Sequence, residues 1–225
     1  MIACGGTGGH LFPGLAVAEA WRARGGRVLL LVSEKKIDQE ASRKYEGYRF
    51  ETIPAAVKPP TISLAMIPFC WRLAKTIGRC GRLIDDFQPK AVLGMGGFTS
   101  LPPVFAGARR GVPGFIHDSN ARPGRANVMT SRWCREVFLG MEAAGAYFKG
   151  RPCVVTGTPV RAELRQLPER AAAAAKFGLD PARPTLLVMG GSQGARRVNR
   201  LMAEAPLPAE VQVLHIAGPR EEESV

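Results

Sequence analysis

Residues 2–10 read IACGGTGGH, three apolar residues that run directly into a glycine-rich loop ending in a histidine. A short apolar run closed by glycines is typical of a buried parallel strand followed by a helix whose first turn approaches a ligand. The same unit recurs as AVLGMGG at residues 91–97 and as TLLVMGGSQG at residues 185–194. This repetition predicts an α/β protein with a doubly wound parallel sheet.

The chain between these loops alternates helix-length and strand-length segments. Residues 15–24 predict a helix that ends at the paired glycines 25–26, and residues 28–32 predict the second strand. Further strands are expected at 114–117, 136–139, 153–156 and 211–216, and an alanine-rich helix at 168–177. This order predicts a Rossmann-like domain at residues 1–160 and the opening part of a second one at residues 161–225.

The predicted elements are too few for two complete domains. The first strand has about four residues before its glycine loop, where parallel strands usually have about five or six. Only two strands fall in the second domain, and two strands rarely make an independently stable sheet. We therefore expect the chain to be part of a longer protein.

The composition indicates a folded protein with an anionic partner. Hydrophobic residues make up 46% of the chain, which argues against disorder, and 31 basic against 19 acidic residues give a formal net charge of +12. Five cysteines without a Cys-x-x-Cys pair favour a reducing cytoplasm over disulfides or a metal site. No stretch approaches the roughly 20 apolar residues that cross a bilayer. The partner is therefore phosphate, nucleic acid or a lipid headgroup.

Three common diphosphate sites can be tested against the sequence. A P-loop requires Gly-Lys before Ser or Thr, and the dipeptide Gly-Lys does not occur. The motif Gly-x-Gly-x-x-Gly fails because reading from Gly6 ends at Leu11 and reading from Gly94 ends at Thr99. The Asp-x-Asp pair common in metal-dependent sugar transfer does not occur either. We expect helix N-termini and arginines, without an obligatory metal or cofactor, to neutralise a diphosphate.

His10 is the candidate catalytic residue. It closes the first glycine loop, and the positive end of the following helix disfavours the imidazolium and keeps the ring neutral near pH 7. A neutral ring can act as a general base, or it can cap the loop and orient a phosphate, and the sequence does not choose between these roles. His117 and His215 end or interrupt apolar runs, where a structural role is expected for both.

A basic, apolar segment lies between the first and second loops. Residues 52–84 contain no acidic side chain, and an apolar stretch at 62–71, interrupted by Pro68, is too short to span a membrane. We predict that this stretch and the cations after it contact an anionic membrane surface through Ile67, Phe69, Trp71, Arg72 and Lys75. Over residues 73–87, apolar side chains at helical spacing predict a helix packed on the sheet.

The three glycine loops and two further motifs together resemble the MurG family, the N-acetylglucosaminyltransferases that convert lipid I into lipid II. The motifs, in family order, are GGTGGH at 5–10, GMGG at 94–97, HDSN at 117–120, GTPVR at 157–161 and GGSQGAR at 190–196. The resemblance implies a GT-B fold and inverting, metal-independent transfer from UDP-N-acetylglucosamine to the 4-hydroxyl of a muramoyl-pentapeptide on a polyprenyl diphosphate. It also implies a peripheral place on the cytoplasmic face of the bacterial plasma membrane.

The same resemblance implies a set of site residues. Positions that match the family's donor-binding residues are Thr7, Gly8, Gly9, Asn120, Arg161 and Ser192. Gly96 and Gly97 match a loop that faces the acceptor diphosphate. The sequence departs from the family pattern at Asp118, where a glutamate is usual, and most of the family's uridine pocket lies beyond the matched part.

Two other functions fit parts of the sequence. A non-catalytic module could dock the lipid acceptor and lend one wall of the cleft to a separate donor-binding chain. The net charge alone would also suit a nucleic-acid-binding protein, but no helix-turn-helix, zinc spacing or aromatic stacking motif supports it, and we expect no nucleic-acid partner.

Overall fold

The computed structural model describes residues 1–45, 47–54, 66–191 and 194–219. The chain divides into two compact units, Met1–Arg165 and Gln166–Val225.

The first unit is built on a parallel sheet of seven strands. In chain order the strands are β1 (Ile2–Ala3), β2 (Leu29–Val32), β3 (Arg49–Thr52), β4 (Val92–Gly94), β5 (Gly114–Asp118), β6 (Glu136–Leu139) and β7 (Cys153–Val155). Their order across the sheet is β3-β2-β1-β4-β5-β6-β7, and every neighbouring pair is parallel. The predicted doubly wound sheet is thereby confirmed. The strand order reverses between β1 and β4, and such a reversal opens a crevice at the carboxyl ends of the strands.

Helices cover the sheet on both faces. They are α1 (Gly8–Arg22), α2 (Lys36–Lys44), α3 (Met66–Phe87), α4 (Leu101–Ala108) and α5 (Arg125–Thr130), with 3₁₀ turns at Ser131–Trp133, Glu142–Tyr147 and Ala162–Leu164. One buried cluster joins Leu11 and Leu15 of α1 to Leu30 of β2. A second cluster, on other strand residues, joins Cys80 and Ile84 of α3 to the sheet. The apolar stripe predicted at residues 73–87 therefore packs as expected.

The predicted start of the first helix was wrong, and Pro68 does not have the interrupting role expected for it. Helix α1 begins at Gly8 rather than at residue 15, because Leu11 and Leu15 pack on the sheet from one continuous helical face that includes Pro13. Pro68 does not interrupt α3, since the helix begins at Met66 and Pro68 lies in its first turn, while residues 62–65 of the predicted apolar stretch lie outside the described residues. An amide in the first turn has no partner within the helix, so a proline there removes no hydrogen bond.

The second unit contains α6 (Arg170–Lys176), β8 (Thr185–Met189), α7 (Arg196–Glu204) and β9 (Gln212–Ile216). Strands β8 and β9 are parallel. His215 has the structural role expected for it, because its Nε2 lies 3.0 Å from Oδ1 of the buried Asn199, whose Nδ2 donates to the Ala217 carbonyl at 2.8 Å.

Two glycines inside helices provide a matched test of packing. A Cβ on Gly14 of α1 would lie 2.4 Å from the Cys4 Cβ, whereas a Cβ on Gly78 of α3 would meet nothing within 4 Å. We expect Gly14→Ala to lower the free energy of unfolding by about 1–3 kcal/mol through overpacking. Gly78→Ala should raise it by up to about 1 kcal/mol, since alanine is the better helix former. Urea unfolding of both variants checks this, and equal stabilities would contradict the close approach of α1 to β1.

Candidate functional site

Two glycine loops meet at the point where the strand order reverses. The first glycine loop, residues 5–9, follows β1, and the second glycine loop, residues 95–98, follows the neighbouring β4. The Thr99 hydroxyl, just after the second loop, donates to the Gly5 carbonyl of the first at 2.7 Å, and this bond is buried. The sheet and this contact hold the two loops side by side at the crevice.

The His10 ring lies between these loops. It belongs to the first turn of α1, is half-buried, and has Nδ1 3.3 Å from the Thr7 hydroxyl. A Cβ on Gly96 would lie 2.7 Å from the His10 Nε2, and a Cβ on Gly97 would lie 3.3 Å from the ring Cε1. Both glycines also have positive φ, 125° and 72°. The second loop therefore needs glycine both for its backbone and to leave room for the imidazole.

Within the described part of the chain, the Gly8 and Gly9 amides of the first glycine loop are free, whereas the Gly96 and Gly97 amides of the second loop are hydrogen-bonded. Thr7 precedes α1, and its carbonyl accepts from the His10 and Leu11 amides at 3.1 and 3.0 Å. Among the described residues, the Gly8 and Gly9 amides have no acceptor, and they lie at the positive end of the helix. In the second loop, by contrast, the Gly96 amide donates to Ser100 Oγ and the Gly97 amide to Asn127 Oδ1. A diphosphate that used those two amides would have to displace these bonds.

The surroundings of His10 favour its neutral form. Burial is the largest influence and lowers the pKa of His10 below its usual value. Asp118 raises the pKa, Lys35 lowers it and Asp38 raises it, in decreasing order of effect. The neutral ring expected from the sequence agrees with this direction, although the main cause is loss of solvent rather than the helix terminus.

A buried carboxylate fixes the loop that follows β5. Asp118 is 1% exposed, and its two oxygens accept four hydrogen bonds. The donors are the Asn120 amide (3.0 Å), the Asn120 Nδ2 (2.9 Å), the Gly124 amide (3.1 Å) and the Asn127 Nδ2 (2.7 Å). Asn127 then links this carboxylate to the second glycine loop through its bond from Gly97.

Sequence reasoning did not identify Asn127. Its role depends on α5 packing beside the second loop, and a single asparagine in a short helix carries no local signal of that contact. The exposed Asn120, a predicted donor-binding residue, uses its side-chain nitrogen to hold Asp118. His117 is 2% exposed with Nε2 2.9 Å from the Gly157 carbonyl, which supports the structural role expected for it.

Arg161 packs against the start of α1. Its guanidinium lies 4.5 Å from the centre of the Phe12 ring, and its Nη1 donates to the Tyr45 hydroxyl at 2.6 Å. An ion pair with Glu163 completes the contacts, and the Arg161 side chain is 17% exposed. The Nε atom is buried without a partner among the described residues. Ser192, another predicted donor-binding residue, lies outside the described residues.

Of the residues predicted to contact a membrane, Ile67, Trp71, Arg72 and Lys75 are exposed on α3, whereas Phe69 is not. Ile67 and Trp71 are 71% and 65% exposed, whereas Phe69 is 9% exposed and packs edge-on against Phe98 with ring centres 6.3 Å apart. Phe69 lies on the same helical face as Cys80 and Ile84, so it turns towards the protein. Arg72 and Lys75 are exposed, and the Lys75 Nζ lies 5.3 Å from the centre of the Trp71 ring.

The described residues contain neither a membrane-spanning helix nor a metal site. No helix within the described residues is both long and apolar enough to cross a bilayer. No three His, Cys, Asp or Glu side chains in the part of the chain that the structure describes lie close enough to hold a metal ion.

The charge environment of His10 can be tested directly. Lys35→Met removes a nearby positive charge, so we expect the pKa of His10 to rise. Lys90→Met serves as the control, because this exposed lysine lies just before β4 at the opposite edge of the sheet. NMR titration of the ring carbon-bound protons measures both. An unchanged or lowered pKa in Lys35→Met would contradict the site geometry.

Comparison with known proteins supports the resemblance seen in the sequence. Residues 1–139 match the model of the Glycosyltransferase family 28 N-terminal domain. Three curated relatives share the name UDP-N-acetylglucosamine--N-acetylmuramyl-(pentapeptide) pyrophosphoryl-undecaprenol N-acetylglucosamine transferase. They are those of Streptomyces avermitilis (40% identity, 99% of this chain, 62% of the relative), Frankia casuarinae (37%, 98% and 60%) and Geobacter sulfurreducens (36%, 100% and 63%).

Solved structures share the fold. MurG of Acinetobacter baumannii superposes with a TM-score of 0.67 at 24% identity, over 99% of this chain and 60% of that one. The UDP-GlcNAc 2-epimerase of Neisseria meningitidis, bound to UDP-GlcNAc, gives 0.60 at 13% identity, over 96% and 71%. The predicted Rossmann-like fold of the GT-B type is confirmed.

The chain spans about three fifths of the length of the curated relatives it matches. The family match rests on more than half of its residues, including both glycine loops and His10. The chain therefore belongs to glycosyltransferase family 28.

Proposed function

We propose that this chain takes part in the inverting transfer of N-acetylglucosamine from UDP-N-acetylglucosamine to the 4-hydroxyl of the muramoyl sugar of undecaprenyl-diphospho-muramoyl-pentapeptide, the step from lipid I to lipid II in peptidoglycan synthesis. The observation that carries this proposal is the half-buried His10 ring between two glycine loops at the reversal of strand order. The names of the relatives supply the substrates, since all three carry the same transferase name.

His10 acts as the general base in this proposal. With Nδ1–H donating to the Thr7 hydroxyl, Nε2 keeps a free lone pair on the side of the ring that faces Gly96. Nε2 takes the proton of the acceptor 4-hydroxyl as that oxygen attacks the anomeric carbon. The bond from this carbon to the diphosphate oxygen breaks, UDP leaves with the electron pair, and attack from the opposite face inverts the centre. Positioned bases of this kind contribute about 10²–10⁴ in rate.

Backbone amides and cations, rather than a metal, neutralise the diphosphates in our proposal. The free amides of Gly8 and Gly9 at the start of α1 support a phosphate contact there. We assign Thr7, Asn120, Arg161 and Ser192 to the donor site with them. The acceptor diphosphate lies beside Gly96 and Gly97, where the lack of side chains leaves room.

The acceptor carries a polyprenyl chain, so the reaction takes place at a membrane. We propose that the first turns of α3 contact the cytoplasmic face of the bacterial plasma membrane. The exposed Ile67 and Trp71 supply apolar surface, and Arg72 and Lys75 attract anionic headgroups.

A chimera tests the catalytic role of His10. Residues 1–165 replace the matching part of the Geobacter sulfurreducens relative, and transfer of radiolabelled sugar to a lipid-linked acceptor is measured. We expect an active chimera in which His10→Ala lowers kcat by about 10²–10⁴, since proton removal is lost. Lys90→Ala at the opposite edge of the sheet should change nothing. An active His10→Ala chimera with near-full turnover would overturn the base, and an inactive parent that still binds the acceptor would favour the non-catalytic docking module.

The membrane contact predicts a loss of vesicle binding. Ile67→Asp combined with Trp71→Asp removes apolar surface and adds two negative charges, each worth about 1 kcal/mol near an anionic leaflet. We expect co-sedimentation with vesicles containing anionic lipid to fall at least about tenfold. Leu167→Asp is the control, because Leu167 is 79% exposed but lies outside α3. Equal losses in both proteins, or no loss in the α3 variant, would defeat the contact.

A further inference from the structure

The backbone of Gly6, in the middle of the first glycine loop, is hydrogen-bonded at both its amide and its carbonyl. Its amide donates to Asp38 Oδ2 at 2.8 Å. Its carbonyl accepts from the Lys35 Nζ, also at 2.8 Å. Lys35 directly precedes α2 and Asp38 lies in its first turn, about thirty residues along the chain from Gly6, so neither bond follows from local sequence.

Asp38 is itself rigidly placed. It lies in the first turn of α2, is 0% exposed, and its Oδ2 also accepts from the amide (2.8 Å) and hydroxyl (2.5 Å) of Ser33. Its Oδ1 is buried without a partner among the described residues. A carboxylate buried in this way is expensive unless it is well hydrogen-bonded. The Gly6 amide and the amide and hydroxyl of Ser33 all donate to Oδ2, so the Asp38 side chain has a fixed position and can restrain the loop.

The first glycine loop needs these contacts because its backbone adopts a conformation that it does not favour by itself. Gly6 has φ +115°, a region that residues with side chains rarely adopt. A Cβ on Gly5 would lie 2.3 Å from the Ser33 amide nitrogen, so the loop passes directly over the end of β2. The glycines permit this path, and contacts with Asp38 and Lys35 select it from the many that glycine allows.

We propose that Asp38 and Lys35 are positioning residues of the first glycine loop. They hold the amide and the carbonyl of Gly6 so that the Gly8 and Gly9 amides and the His10 ring face a bound diphosphate sugar. This inference rests on the proposed function for the identity of the ligand. Neither residue touches the ligand in this account, and both act through the backbone of Gly6.

The opposite charges of the pair suit that role. Both residues act electrostatically on His10: Lys35 lowers the pKa of its ring and Asp38 raises it. Two carboxylates would raise the pKa of His10 and repel an anionic ligand, and two ammonium groups could not accept the hydrogen bond of the Gly6 amide. A carboxylate and an ammonium instead hold the amide and the carbonyl of one residue, Gly6, while they shift the pKa of His10 in opposite directions.

Amide hydrogen exchange and ligand binding of the 225-residue chain test the proposal together. In Asp38→Ala, we expect the Gly6 amide to exchange about tenfold faster, since its acceptor is removed. Affinity for UDP-N-acetylglucosamine, measured by calorimetry, should fall by about tenfold. Asp38→Asn keeps an oxygen acceptor and should recover part of both losses. Lys35→Met should lower the affinity by about threefold to tenfold, and Lys35→Arg should restore it.

Glu34→Gln is the matched control. It removes one negative charge from an exposed residue next to Lys35 and should alter neither the exchange of Gly6 nor the affinity. Wild-type exchange of Gly6 in Asp38→Ala, or losses in Glu34→Gln equal to those in the test variants, would overturn the proposal. Should Asp38→Ala fail to fold, Asp38→Asn and the exposed Lys35→Met decide, and wild-type affinity in both would overturn it equally.

Failure of the positioning role and failure of the proposed function give different results in these measurements. If the unaltered chain does not bind UDP-N-acetylglucosamine, binding is measured with the chimera described above, and failure of the chimera to bind rejects the donor assignment. The exchange rate of Gly6 and the NMR signal of the His10 ring still report whether Asp38 and Lys35 hold the loop. If the ligand binds and the variants bind it equally well, the positioning role fails and the proposed function stands.

Discussion

The site depends on one constraint, the side-by-side pairing of β1 and β4 in a parallel sheet. Because both strands end at the same edge, the glycine loops that follow them meet, and the Thr99 hydroxyl joins them through the Gly5 carbonyl. The His10 ring fits between the loops only because Gly96 and Gly97 have no side chains. The position of His10 thus depends both on the topology of the sheet and on the glycines of the loops.

Two buried aspartates support this arrangement from opposite sides. Asp38 and its neighbours hold the first glycine loop from the β2 side. Asp118 reaches the second loop through Asn127 from the β5 side. Each carboxylate is nearly inaccessible to solvent and is compensated by several hydrogen-bond donors. At the carboxyl edge of the sheet, the two aspartates therefore fix the backbone of the glycine loops. The Gly8 and Gly9 amides of the first loop nevertheless have no acceptor among the described residues.

The sequence predicted the elements with periodic or punctuated patterns and failed where a long-range contact decides. The strand at residues 136–139 was predicted with its observed bounds, since it is a short apolar run between turns. The start of α1 was missed because glycines and a proline look like a loop, whereas packing of Leu11 and Leu15 makes them helical. Phe69 could have been placed correctly by extending the helical spacing of the stripe at 73–87 back by four residues from Leu73. Asp38 and Asn127 gave no local signal, because the loop glycines that they bind, Gly6 and Gly97, lie about thirty residues away in the sequence.

The central claim is that the start of α1 receives the diphosphate of a nucleotide sugar. The most direct measurement is a map of backbone amide chemical shifts as UDP-N-acetylglucosamine is added to the isotopically labelled chain. The account predicts that the Gly8 and Gly9 amides move most, because they alone in the first turn have no acceptor in the described structure. Shifts that spare these two amides and gather instead on the basic face of α3 would contradict it.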